Sequence, residues 1–336
     1  MKRVFAAALA PLLTLSLALA GGAARAEGRL RIAEQYGVTY LLLNIAQEQK
    51  LIEKHGKAQG VDIKVEWTQL SGGAAINDAL LSGAIDIAGA GVGPLLTIWD
   101  RTRDRQNVRG VAALGSFPYY LVSNNPKVKT IADFTDKDRI GLPAVTVSVQ
   151  ARILQMAVAK QWGDKDFARL DKITQTLPHP DAAAAIIAGG TEISGHFGSP
   201  PFQEQELAQN PNARIVLNSY EVQGGPSSST VLYATEKYRK ENPKTYRAFT
   251  AALAEAADYA AKNPEGAADI YLRTNKSKVD RAILLKIFKN PEVQFRISPQ
   301  NTLTLAQFMH RVGAIRNKPE SWRDYWFDDP AIGQGG

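Results

Sequence analysis

The sequence predicts an α/β protein of two lobes, each a mostly parallel sheet flanked by helices. Three observations predict it. Strand-like and helix-like apolar patterns alternate along most of the chain. The early part of that pattern recurs 106 residues further on. From Thr230 onward the chain reads mainly as helices, which need an existing sheet to pack on. A length of 336 residues fits two ordinary domains. With 45% hydrophobic and 22% charged residues the chain is no disordered segment. The Cys count of 0 excludes disulfides, thiolate metal sites and cysteine nucleophiles.

The first segment differs from the rest. Lys2 and Arg3 precede an apolar stretch from Val4 to Ala20, and Ala24-Arg25-Ala26 follows with small residues at the spacing of a cleavage site. Pro11 and Gly21-Gly22 interrupt any continuous membrane span. Residues 1–26 are therefore expected to be a signal peptide. Without a cysteine near the cut, no lipid anchor is expected, and the mature chain from about Glu27 should be a free periplasmic monomer. The signal carries Lys2, Arg3 and Arg25 and no acid, so the formal net charge of +7 falls to +4 in the mature protein. No basic run or aromatic-interleaved basic stripe is present, and no nucleic-acid partner is expected.

The elements then follow in order. Leu30 to Glu34 reads as a buried strand, and Leu41 to Ile52 as a helix closed by Gly56. Val61 to Trp67 alternates as a strand does. Ser71-Gly72-Gly73 turns into a helix through Leu81, stopped at Gly83. Ile85 to Ala88 is a short strand, and after a Gly-rich loop a helix runs from Pro94 to about Arg103. The second series has a strand from Arg139 to Leu142, a helix from Ser148 to Gln161 and a strand from Lys172 to Leu177. A helix from Asp181 to Ala188, a strand from Thr191 to Gly195 and a helix opened by Pro200 complete it. The shift of 106 lays Gly83 on Gly189, Ile87 on Ile193, Gly89 on Gly195 and Pro94 on Pro200. Val231 to Ala234 could be a strand, and helices follow over Tyr246–Lys262, Pro264–Leu272, Val279–Phe288 and Leu303–Val312. The helical tail should pack on the first lobe. That gives lobe I as residues 27–115 plus 225–336, and lobe II as residues 116–224, with a cleft between them.

In open α/β sheets, ligands meet the carboxyl ends of strands and the helix starts that follow. The loops with that position are Gln35-Tyr36-Gly37, Ser71-Gly72-Gly73, Gly91-Val92-Gly93, Val145-Thr146-Val147-Ser148 and Gly195-His196-Phe197-Gly198-Ser199. Gly89-x-Gly91-x-Gly93 misses the dinucleotide fingerprint, because Pro94 stands where the third glycine is needed. His55, His179, His196 and His310 lack metal-ligand spacing, and only His196 lies in a ligand-facing loop. No metal or cofactor is expected. Asp86 and Glu192 are read as buried strand-base residues and not as an acid/base pair.

The segment from Glu48 to Asp100 carries Glu53-Lys54-His55-Gly56, Ser71-Gly72-Gly73, Ser82-Gly83-Ala84-Ile85-Asp86 and Gly93-Pro94. With Asp181 to Pro200 and Asn242 to Ile270, it resembles the periplasmic substrate-binding proteins of ABC importers. The branch is the one for aliphatic sulfonates, taurine, nitrate and thiamine precursors. The resemblance implies the two-lobed, type II flytrap fold, closing on a small anionic solute and presenting it to a membrane permease with a cytoplasmic ATPase. Carried over by position are Gln35, Tyr36, Gly72, Gly73, Gly91, Val92, Gly93, Thr146, Ser148, His196, Phe197 and Ser199. Val92 and His196-Phe197 depart from the usual pattern, and Phe197 with Tyr36 and Tyr119 would suit an apolar part of the solute. The charged end is expected to meet helix-start amides, with Thr146 and Ser148 at N-caps and Arg152 as the competing anchor. Two alternatives stand beside transport: a same-fold enzyme of thiamine-pyrimidine or menaquinone-precursor metabolism, and a binding module feeding a sensor.

Overall fold

A computed structural model describes residues 27–336; the expected signal peptide lies outside the described residues. Strands come in chain order as β1 (Arg29–Glu34), β2 (Lys64–Gln69), β3 (Ile87–Gly91), β4 (Arg109–Ala113) and β5 (Tyr120–Ser123). They continue as β6 (Ile140–Leu142), β7 (Thr174–Thr176), β8 (Gly195–Phe197), β9 (Arg214–Asn218) and β10 (Thr230–Ala234). They form two five-stranded sheets, ordered β2-β1-β3-β10-β4 and β7-β6-β8-β5-β9. In each, one strand runs against the others: β10 between β3 and β4, and β5 between β8 and β9. The sheets are mixed, and each keeps the parallel core that the alternating pattern predicts.

The repeat is visible in the backbone. Gly83 and Gly189 end corresponding helices, Gly73–Leu81 and His179–Ala188, and both take left-handed φ values, 74° and 65°. At the other repeated acid the likeness ends. Asp86 accepts from the Arg31 amide at 2.9 Å and its guanidinium at 2.6 Å, whereas Glu192 is exposed and not buried as expected.

Three differences from the expected elements have simple causes. The first helix breaks at Lys50, which takes φ 50°, into Leu41–Glu48 and Leu51–Ala58. Gly56 lies inside the second piece and does not close it; a Cβ there would stand 2.7 Å from the Ile63 side chain. The Gly-rich stretch after Ala88 is no loop, since β3 runs to Gly91 and the next helix, Val92–Thr102, begins at once. Pro94 falls in that helix's first turn, where its missing N–H costs nothing. Strands β4, β5 and β9 were not expected, because their residues show no clear alternation.

The C-terminal helices Pro243–Lys262 and Pro264–Thr274 cover the helices that follow β1. Glu255 binds Lys54 and His55, and Arg273 binds Glu48. The last segment closes the free edge of β4: Trp326 forms a parallel bridge to Gly110, and Phe327 N donates to Gly110 O at 2.9 Å. A Cβ at Gly110 would meet the Trp326 ring at 2.5 Å, so the indole can lie flat only against glycine. Among the described residues no helix is long and apolar enough to cross a membrane.

Glu34 ends β1 with one carboxyl oxygen buried and unpartnered, and burial pushes its pKa up to about 8 from 4.5. The folded form then holds a proton that the unfolded chain releases, so stability falls as pH rises from about 4.5 to about 8. Glu34→Gln should flatten that slope. The difference in urea stability between the two ends of the window should shrink by on the order of 5 kcal/mol. An unchanged slope would place the titration elsewhere.

Candidate functional site

A cavity of about 350 Å³, its open mouth included, lies where the carboxyl ends of the parallel strands of both sheets meet. From the first sheet come Gln35 and Tyr36 after β1, Gly73 at a helix start, and Gly91 and Pro94 around the start of Val92–Thr102. From the second come Pro143 after β6, Ser148, Val149 and Gln150 at the start of Val149–Trp162, His179 at the start of His179–Ala188, and Ser199. Thr39, Tyr40, Tyr119 and Thr230 complete the lining. No Arg, Lys, Asp or Glu is among these residues. Helix starts from both sides face it, and each carries roughly half a positive charge.

Of the residues expected at the site, Gln35, Tyr36, Gly73, Gly91, Tyr119, Ser148 and Ser199 line the cavity. Gly72, Val92, Gly93, Thr146, His196 and Phe197 do not. Thr146 is exposed, at φ 59°. Phe197 is fully buried in the core, and the aromatic rings that line the cavity are Tyr36, Tyr40, Tyr119 and the His179 imidazole. His196 stands one layer behind the wall.

Val92 is buried in the core, and Gly72 and Gly93, like Gly37 and the lining residue Gly91, bring the two sides together. A Cβ at Gly37 would meet Pro200 O at 2.8 Å, at Gly72 Pro143 O at 2.6 Å, and at Gly93 Val147 O at 2.8 Å. At Gly91 it would meet Val149 Cβ at 2.8 Å. Each contact crosses from the first sheet's loops to the second's, and Val38 N donates to Pro200 O at 3.0 Å across the same seam. Here glycine serves backbone approach between the halves more than approach to a ligand.

Helix-start amides are also less free than composition suggests. Gly72 N donates to Gln35 Oε1 at 3.1 Å, Val92 N to Ser229 O at 3.0 Å, and Ala151 N to Ser148 Oγ at 3.2 Å. Arg152 does not line the cavity: its Nη1 donates to Gln155 Oε1 at 2.9 Å. The polar groups left at the wall are neutral. Tyr119 OH lies 2.5 Å from Thr230 Oγ1, and burial pushes its phenol up to about 12. Gln150 and His179, absent from the expected set, meet at 3.1 Å between Nε2 atoms. Spacing alone could not find His179, because its partner His196 is brought beside it only by the sheet.

The geometry can be set beside known proteins. The alkanesulfonate-binding protein SsuA from Xanthomonas axonopodis pv. citri, bound to MOPS, matches with TM-score 0.68 at 18% identity over 90% of this chain and 99% of that one. The periplasmic aliphatic sulphonate binding protein SsuA from Escherichia coli matches with TM-score 0.63 at 18% identity, over 90% and 99%. The periplasmic nitrate-binding protein NrtA from Synechocystis PCC 6803 matches with TM-score 0.68 at 15% identity, over 89% and 84%. Among curated proteins no sequence matches. The fold is thus that of the periplasmic binding proteins, as the resemblance implied. The chain belongs to the NMT1-like family, whose profile matches residues 36–272.

Ser148 is both a lining residue and the N-cap of Val149–Trp162. Ser148→Ala should cost about 1 kcal/mol of stability by freeing the Ala151 amide, read from denaturant unfolding. Unaltered stability would show that the cap is dispensable.

Proposed function

We propose that this chain is an exported solute-binding protein that takes a small organic anion, sulfonate-like or carboxylate, into the cavity between its halves. It delivers the solute to the membrane permease of an ABC importer with its cytoplasmic ATPase, and works as a periplasmic monomer after loss of residues 1–26. Lobe I is residues 27–115 with 225–336, and lobe II is residues 116–224. The observation that carries this reading is the lining: helix starts from both sheets face a cavity without a single carboxylate or cation in its wall. Such a site favours a negative charge and asks no buried counter-ion to be desolvated. The sulfonate MOPS bound by the alkanesulfonate-binding protein, and the nitrate of the nitrate-binding protein, support an anion. Binding is favoured over catalysis because the wall offers neutral hydrogen-bonding groups and no paired acid and base.

A thermal-shift screen of ethanesulfonate, acetate, benzoate, nitrate and a neutral pyrimidine tests the ligand class. At 100 times its Kd a true ligand stabilises by ~2.7 kcal/mol. Stabilisation by the pyrimidine alone would overturn the anion reading.

The seam predicts how the lobes close. Gly93→Ala places a methyl against Val147 O while adding helix propensity of about 1 kcal/mol to Val92–Thr102. The variant should stay folded, hold the lobes further apart with a larger radius of gyration in small-angle scattering, and bind the solute at least about tenfold more weakly. Native affinity would show that closure does not need this approach.

A further inference from the structure

Behind the cavity wall runs a buried chain of polar side chains that the reading above leaves unused. His179 lines the cavity, and its Nδ1 meets His196 Nε2 at 2.8 Å. His196 Nδ1 in turn meets Glu206 Oε1. On the cavity side, His179 Nε2 faces the side-chain nitrogen of Gln150, a donor, at 3.1 Å. His179 is 7% exposed, His196 and Glu206 are 0%, and the second carboxyl oxygen of Glu206 has no partner. Phe202 stacks on the His179 ring at 5.6 Å and 18°, which fixes the ring plane.

Such a chain has two self-consistent polarities, because a neutral imidazole donates from one nitrogen and accepts at the other. With Glu206 ionised and both rings neutral, each histidine donates inward and His179 Nε2 is a bare acceptor. With one more proton, on Glu206 or on His196, His196 donates to His179 Nδ1. His179 Nε2 then carries a hydrogen outward, and the Gln150 amide turns its carbonyl to it or yields to a ligand. Burial pushes the Glu206 carboxyl up and both imidazoles down, toward the state without net charge.

The surrounding titratable groups include two cations, Lys286 and the buried Arg152, whose Nε has no partner. Glu204, on the helix of Glu206, is pushed up to about 7 by burial, with Gln203 opposing and the charges of Glu206 and Lys286 acting on it more weakly and in opposite directions. Tyr120 on β5 is pushed up to about 12. Tyr36, Tyr40 and Tyr119 share the cavity, Asp181 on the helix of His179 is exposed, and Arg152 beyond Gln150 is engaged with Gln155.

We propose that His179 holds the anionic end of the solute by donating Nε2–H to it, and that Glu206, acting through His196, is the positioning residue that fixes this tautomer. The ligand class narrows to a hydrogen-bond-accepting anion whose capture requires the proton on the relay. The inference rests on the anion reading above.

The chain's four histidines make the tautomers assignable by nitrogen-15 NMR with single variants. His179 should be protonated at Nε2, and should stay so on adding potassium ethanesulfonate, acetate or nitrate. Calorimetric affinity for these salts, from about pH 5 to about pH 10, should hold level and then fall about tenfold per pH unit once the relay loses its proton. Glu206→Gln can donate to His196 Nδ1 but has no proton to lose. It should keep binding and lose the pH slope. His179→Phe should lose binding by about 100-fold or more. A bare Nε2 on His179 in the bound protein, or an undiminished slope in Glu206→Gln, overturns this inference and leaves the anion reading standing. Failure of all three salts to bind at any pH, with the expected tautomer present, overturns the anion reading and this inference with it. If Glu206→Gln does not fold, the tautomer in the unaltered protein decides.

Discussion

Two backbones cannot pass within van der Waals distance of each other where a Cβ stands between them. That constraint organises this molecule. Gly37, Gly72, Gly91 and Gly93 let the loops of the first sheet touch Pro200, Pro143, Val149 and Val147 of the second. The cavity is what remains between those points of contact, so its walls are set by how closely the halves meet. Larger residues at these positions would leave both sheets intact and still enlarge the gap between them.

The electrostatics follow from that closeness. A fixed cation or carboxylate walled in on both sides would be poorly solvated in the absence of ligand. The wall instead carries hydroxyls, amides and one imidazole, with helix starts behind them. Several backbone amides that composition offered to a solute are already bonded within the protein, to Gln35, Ser148 and Ser229. On the proposed reading, recognition shifts from main chain to side chain, with His179 the polar group given the most to contribute.

Most of the strand–helix order and the repeat were legible in sequence, because each is local periodicity or a glycine stop such as Gly83 and Gly189. Several of the loops that reach the cavity were legible too, since strand ends must point there, but the one after β7 that brings His179 was not. Which residue of each loop faces inward was not. Thr146 and Ser148 are two positions apart, yet one is exposed and the other lines the wall. His179 and Gln150 escaped notice because their importance comes from partners brought together in space. Strand β5 escaped because Tyr120 to Ser123 has no alternation to betray it, and its place beside β8 depends on non-local pairing.

Strand β10 has a consequence for how the chain is assembled. It fills the slot between β3 and β4, yet it is made only after the entire second sheet. Until Thr230–Ala234 is available, β4 has no neighbour to join it to β3, and the first sheet stands as three strands with an open, apolar edge. The second sheet draws all its strands from one unbroken stretch, so it can be finished earlier. Completion of the first sheet then demands closing a loop of more than a hundred residues, the slow, entropy-limited step of such a topology. The half of the molecule that begins the chain is in this way the last to be finished, and its exposed edge is the surface an escort protein would have to guard meanwhile.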